Sequence, residues 1–458
     1  MNNPIQGKSP LLFVPMETKV REFHAKLFLA MIAVENGYRV IIGGKNLLQE
    51  QLQHFDKGIY LDKSVASSKN KWFRRFRRLG NIVTALDEEG LVYFNAQAYQ
   101  NLRLCEQSLS QITLFFAWGP AHKQVICSKV PTAEKKIICV GNPRFDMLRP
   151  ELREFYTNKA QKRVNRYGKI ILVNTTFSLA NHAYGNTYSL RLFENYLAPN
   201  SAPDYIKKWA EALRMMFEEY VKMLPVLSQR FPTHSIILRP HPAENFDTWK
   251  DITKTMPNVY VRAEGNVLNW IKASEVVIQF SCTTAIEAYM MGVEAIHYSP
   301  IDIGEFEQPL PRSLSLQASS CEELIDMVNT ILTNKKHGDQ FESTEIRKRI
   351  LHENVSSVAG DLASEKIIAA LKKIKIPDGT NRTVQQELYK YGLNLLFKIK
   401  YLKKRFIGPK RENSRYTFPG LELSEVEENI AILQAVTGRF AGVKAKSVGQ
   451  TCFLIYAE

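Results

Sequence analysis

Ser235-Ile236-Ile237-Leu238-Arg239-Pro240-His241-Pro242 and Val276-Val277-Ile278-Gln279-Phe280-Ser281-Cys282-Thr283-Thr284-Ala285-Ile286-Glu287-Ala288 decide the fold. Each is a short apolar run that ends in polar residues, and the second passes directly into a helical pattern. A run without polar alternation is a strand covered on both faces, as in a parallel sheet flanked by helices. Such sheets hold their ligands beyond the carboxyl ends of the strands. The polar residues after each run therefore mark a candidate site.

The same pattern extends outward from these stretches. Lys169–Asn174, Val259–Val261 and Ala295–Tyr298 are further strands, and Tyr205–Arg230, Cys321–Leu332 and Thr344–Lys373 have helical periodicity. Toward the N-terminus, Leu11–Val14, Tyr38–Ile42, Gly58–Leu61, Asn81–Leu86, Leu114–Trp118 and Lys136–Val140 predict a second parallel series. Phe23–Glu35 is its first helix, closed by Asn36-Gly37. The first loop lacks GxGxxG, so it is no dinucleotide fingerprint. The expected architecture is α/β, with Rossmann-like domains at 1–150 and 165–376 facing a cleft, which is the GT-B class. A third segment, 380–458, holds a basic amphipathic helix (Val384–Phe406) and an appendage of no evident role.

Composition narrows the function. Apolar and charged fractions of 45% and 23% are those of a globular chain with a large core. No apolar run reaches the roughly 18 residues of a membrane span, and Met1–Pro10 is too polar for a signal peptide. The six cysteines form no CxxC pair, several sit inside apolar stretches, and they are expected as reduced core thiols in a cytoplasmic protein. The net charge of +15 gathers in Arg74-Arg75-Phe76-Arg77-Arg78 and in Lys398–Arg411, which suits an anionic membrane surface. No recognition motif favours nucleic acid. No HExxH, credible DxD, cysteine cluster, GxSxG or Walker A is present, so neither metal nor cofactor is expected.

His241 lies between two prolines that stiffen its loop, where an imidazole can meet a phosphate at little entropic cost. Arg239 adds charge suited to phosphate oxygens. Ser281, Thr283 and Thr284 stand at a helix start, where hydroxyls cap the helix and its dipole favours an anion. Glu287 follows one turn inside, and Gln279 ends the strand. Thr176, Ser178 and Asn181 follow the first strand of the second half and would face the same ligand. Asp87-Glu88-Glu89-Gly90 follows a strand of the first half, where one or two of the acids could act as general acid or base. Asn142–Asp146 is expected to be structural.

These motifs, taken in order from Leu12-Phe13-Val14-Pro15 through Arg21-Glu22-Phe23, Gly43-Gly44-Lys45-Asn46, Asp87–Gly90, Gly141–Asp146, Arg239–Pro242 and Gln279–Gly292, resemble the bacterial surface carbohydrate biosynthesis protein family over about Leu11–Leu371. More distantly the chain resembles retaining β-Kdo transferases and the glycerol-phosphate transferases of teichoic acid synthesis, which share the His-Pro motif. The resemblance implies a glycosyltransferase of capsule or O-antigen synthesis, peripheral at the inner membrane. It implies a CMP-, CDP- or UDP-linked sugar donor and a glycan or lipid-linked acceptor. By the same resemblance His241 and Ser281–Thr284 bind donor phosphate, Glu88 or Glu89 is the acid/base, and Arg21 and Lys45 line the substrate site. The loop Thr176–Asn181 lacks the aspartate that the Kdo transferases carry there. A glycerol- or ribitol-phosphate transferase, a nucleotide-sugar 2-epimerase and a non-catalytic scaffold are the rival readings.

Overall fold

The computed structural model describes residues 9–197, 204–333, 344–375, 382–407 and 418–458. They form two units: Met1–Leu91, Arg103–Phe155 and Glu353–Glu458 make the first, Val92–Leu102 and Tyr156–His352 the second. In chain order the strands are β1 (Leu11–Met16), β2 (Arg39–Gly44), β3 (Gly58–Asp62), β4 (Ile82–Leu86), β5 (Phe115–Ala117), β6 (Ile137–Cys139), β7 (Ile170–Asn174), β8 (Ser235–Arg239), β9 (Val259–Val261), β10 (Val276–Gln279), β11 (Ala295–Tyr298), β12 (Leu316–Ala318), β13 (Val443–Gly449) and β14 (Cys452–Ala457).

Unit 1 is an eight-stranded sheet in the order β13-β14-β2-β1-β3-β4-β5-β6. Its first six strands are parallel, and their order reverses between β1 and β3. Every residue of β1, β2 and β3 is buried, because helices cover both faces. The helix Lys19–Glu35 is buried almost all round, since Ala363–Lys372, Leu423–Thr437 and β14 pack over it.

The C-terminal stretch is therefore no appendage. Its helix and hairpin complete unit 1, and β14 pairs antiparallel with β2 from Cys452↔Gly43 to Ile455↔Val40. Cys452-Phe453-Leu454-Ile455 are wholly buried there. The partner strand, Val443-Lys444-Ala445-Lys446, is a charged outer edge that resists further pairing. That polarity hides the hairpin from a search for apolar runs.

Unit 2 has the order β12-β11-β10-β7-β8-β9, all parallel, which is the doubly wound arrangement. Its order reverses between β7 and β10. Met216, Tyr220, Met223, Leu224 and Leu227 of the helix Tyr205–Arg230 recur at helical spacing and pack on the sheet. Each such side chain contributes about 1.5–3 kcal/mol by leaving water.

Three sequence expectations change. Thr344–Lys373 is two helices, Thr344–Asn354 and Ala363–Lys372. The second starts where buried Asp146 accepts from the Ala363 and Ser364 amides, both at 2.8 Å. The chain returns to unit 1 at Glu353, ahead of the boundary expected at 376, and residues 92–102 belong to unit 2. The cysteines are all thiols, but only Cys452 is fully buried. Lys410 and Arg411 lie outside the described residues.

Candidate functional site

In unit 2 three strand ends stand in register. Asn174 of β7 is level with Arg239 of β8 on one side and Gln279 of β10 on the other. Neighbouring strands are about 4.8 Å apart. Thr176 and Ser281, each two residues further on, therefore stand on either side of the point where strand order reverses, and His241 stands one strand away, beyond β7. Two bonds tie the reversal together: Thr176 Oγ1 donates to the Phe280 carbonyl at 2.9 Å, and Asn174 Nδ2 donates to Thr284 Oγ1 at 3.1 Å.

His241 is held from behind. Its backbone N–H donates to Glu244 Oε1 at 3.0 Å, and its Nδ1 accepts from the Ala243 amide at 3.2 Å. The neutral ring thus carries its proton on Nε2, and the side chain is exposed. Glu244 is fully buried and also accepts from Thr175 Oγ1, Phe177 N and Trp249 Nε1, at 2.8, 3.0 and 2.8 Å. Burial pushes its pKa up, against the pull of those donors. Glu244 locks the loops after β7 and β8 together. Sequence reading missed it; the only signal was an acid three residues beyond His241.

Several expected ligand contacts are revised. Arg239 donates to the carbonyls of Glu264 and Gly265 at 3.2 and 2.7 Å, and burial lowers its pKa to about 10. It braces the loop after β9 rather than offering a free guanidinium. Gln279 is fully buried; its Oε1 accepts from Cys282 N at 2.9 Å and its Nε2 donates to Ser315 Oγ at 3.2 Å. It shapes the following turn. Asn181 Nδ2 donates to the Asn245 carbonyl at 3.1 Å and so fastens two loops. Ser178 is half-buried in the same turn as Phe177.

The expected hydroxyl cap is also absent. Thr283 stands at the N-cap of the helix Thr284–Met291 with no side-chain cap bond. Ser281 Oγ instead accepts from Gln308 N at 3.0 Å, and Ser281 has φ +45°, a left-handed backbone that costs a non-glycine residue energy. Glu287 is buried one turn inside. The helix thus presents the positive end of its dipole at Ser281–Thr283, with Glu287 in its first turn.

Unit 1 has a different site at its own reversal. Glu17 follows β1, Lys45 follows β2, Lys63 follows β3, and Asp87-Glu88-Glu89 follow β4. Lys63 and Lys45 both pair with Glu17, Lys45 at 3.0 Å. Burial raises the Glu17 pKa, but the two lysines outweigh it and hold the carboxyl at about 2. Lys26 joins Glu22 at 2.6 Å and Glu88 at 3.4 Å, with all three side chains buried. Glu88 Oε2 is buried and has no hydrogen-bond partner among the described residues. Glu89 is partly exposed and pairs with Arg21, which also donates to the Glu88 carbonyl at 3.2 Å. Asp87 is tied to Arg103 at 2.6 Å. Gly90 is required here, since a Cβ would lie 2.3 Å from the His122 ring. Of the expected residues, Arg21, Lys45, Glu88 and Glu89 thus belong to one network; Glu17, Glu22, Lys26 and Lys63 are its unforeseen members. Among the described residues no group of three His, Cys, Asp or Glu could hold a metal ion.

No family model and no curated protein matches the sequence. Solved structures do resemble the fold. A UDP-N-acetylglucosamine 2-epimerase superposes with a TM-score of 0.50 at 13% identity, covering 82% of this chain and 100% of that one. The wall teichoic acid polymerase TagF, soaked with CDPG, superposes with a TM-score of 0.50 at 11% identity, covering 81% and 89%. At such identities the likeness is one of fold: the chain has the α/β, GT-B-like fold of these enzymes.

Proposed function

We propose that the chain is a GT-B glycosyltransferase of surface polysaccharide synthesis that works without a metal ion. It would take a sugar from a CMP-, CDP- or UDP-linked donor to a glycan or lipid-linked acceptor, as a peripheral protein of the inner membrane. The observation that carries this reading is the reversal in unit 2. There an imidazole with its proton on Nε2 and the positive end of a helix flank one strand end. Both stabilise negative charge that develops on a leaving phosphate. The two structural neighbours, whose names tie them to UDP-N-acetylglucosamine and to CDPG, agree with a nucleotide-linked donor.

Glu88 is our candidate for the base that takes the acceptor proton, because one of its oxygens is unpartnered. Glu89, clamped by Arg21, positions that loop. A glycerol- or ribitol-phosphate transfer is the second reading. It is favoured by the absence of any carboxylate in Thr176–Asn181, which attack at phosphorus does not need.

The test is a thermal-shift series with CMP, CDP, UDP, GDP and their sugars. A ligand that binds only the folded state raises its stability. One nucleotide should stabilise the native protein, and His241→Ala should lose the effect. No response to any nucleotide sinks the reading. A phosphorylated product would decide for the second one. Turnover should survive EDTA, and loss restored by a divalent ion would contradict a metal-free site.

A further inference from the structure

Over residues 384–399, whose side chains are described, the helix Val384–Ile407 packs by one side on the rest of unit 1. Arg382 donates to the Phe55 carbonyl at 2.6 Å, Leu393 is buried, and Gln386 sits beside Gly80. Two arginines of the helix Asn70–Arg78 hold the same side. Arg75 is buried between the rings of Trp72 and Phe397, at 4.6 and 5.0 Å, and Arg78 lies over Tyr389 at 5.7 Å. The two basic segments, about 300 residues apart in the chain, are thus brought together in one unit.

The opposite side of the helix is apolar and open. Val384, Leu388, Tyr391, Leu395 and Ile399 recur every three or four residues, so they form one stripe. They are 78%, 66%, 68%, 62% and 46% exposed, and Leu396 beside them is 45% exposed. Lys398 is exposed next to the stripe, and Lys71, Arg74, Arg77 and Arg78 are exposed on the neighbouring helix. A continuous apolar stripe of this length on a surface calls for something to cover it.

We propose that this stripe and the arginines of Asn70–Arg78 form one docking surface for an anionic lipid bilayer. The apolar side chains enter the headgroup–acyl boundary, and the cations rest on lipid phosphates. A second copy of the chain is disfavoured by charge: a two-fold contact would bring the same cations face to face. A nucleic acid would engage the arginines but leave the stripe in water. The inference deepens the peripheral placement proposed above, and its test needs no donor or acceptor.

Full-length protein is sedimented with phosphatidylcholine vesicles, with and without phosphatidylglycerol, at low and high salt. Native protein should bind the anionic vesicles and release as salt rises. Leu388→Ser with Leu395→Ser should weaken binding at least about tenfold, and Arg74→Gln with Arg77→Gln should abolish the preference for phosphatidylglycerol by about tenfold or more. These positions are exposed, so unfolding midpoints should not move, and nucleotide-induced stabilisation should persist in both variants. Vesicle binding that is absent in native protein, or unchanged in both variants, overturns the proposal. So does a dimer in light scattering that Leu388→Ser with Leu395→Ser dissolves. Failure here leaves the nucleotide result intact, and failure there leaves the vesicle result intact.

Discussion

The two units solve the same topological problem with opposite chemistry. In each, strand order reverses and leaves an opening at the carboxyl ends of the strands. Unit 1 fills its opening with full charges: Glu17, Glu22, Lys26, Lys45, Lys63 and Glu88 balance one another. Unit 2 fills its opening with amides, hydroxyls, an imidazole and a helix end, and keeps two buried carboxylates back from it, Glu244 behind the loops and Glu287 one turn inside the helix. An array of mutually paired charges holds each of its side chains in one place. An array that meets the opening mainly with dipoles leaves room for a charge that arrives with a ligand.

The strongest way to break this comparison is Lys26→Ala. Removing the cation strands Glu22 and Glu88 in a buried site, which should cost about 3–5 kcal/mol in urea unfolding. A loss below about 1 kcal/mol would mean that water already screens the network. His241→Ala should cut turnover at least about tenfold, equivalent to about 1.4 kcal/mol at the barrier, with little change in stability because the ring is exposed. Near-native turnover would move the leaving-group role elsewhere in unit 2.

Acid should separate the units. Glu22 is held down from 4.5 to about 2: burial raises its pKa, but Lys26 and Lys63 outweigh that. Glu17 behaves alike. Their stabilisation is full above pH 4.5 and is lost as pH falls toward 2. Glu244 is shifted upward by burial, so its contribution has the opposite sign: it is present at low pH and lost as pH rises through its folded value. Amide exchange followed between pH 4.5 and 2 should therefore show the segments around Glu17 and Glu22 opening before the loops tied by Glu244. Simultaneous opening would contradict the contrast. The smallest effect is Ser281→Gly, which removes a left-handed strain and one hydrogen bond together. Stability should shift by less than about 1 kcal/mol, while nucleotide affinity falls as the turn loosens. Unchanged affinity would show that the Ser281–Gln308 bond does not set the turn.

The strands and their polar ends were legible because a doubly covered strand leaves an unmistakable apolar run. His241, Thr176 and Ser281 could be picked out from position alone, each lying two residues beyond the polar residue that ends such a run. Their hydrogen-bond partners could not. Whether Gln279 points at a ligand or at Cys282 N depends on a turn that only the folded chain defines. The unit 1 network was less legible still. Its members follow four different strands and read singly as solvated loop charges; only the parallel stacking of β1 to β4 makes them neighbours. Arg75 shows the same limit, since an arginine in a basic run gives no sign that two rings will enclose it.

The pairing of β14 with β2 also bears on synthesis. Unit 2 is almost continuous along the chain, so it can collapse as soon as it leaves the ribosome. Unit 1 must wait some 400 residues for the strand that covers the β2 edge. Until then Val40-Ile41-Ile42 offers an open, apolar template to any other nascent chain. A product that stops short of Cys452 should therefore burden chaperones and gather into aggregates, although every residue of the candidate sites is already present.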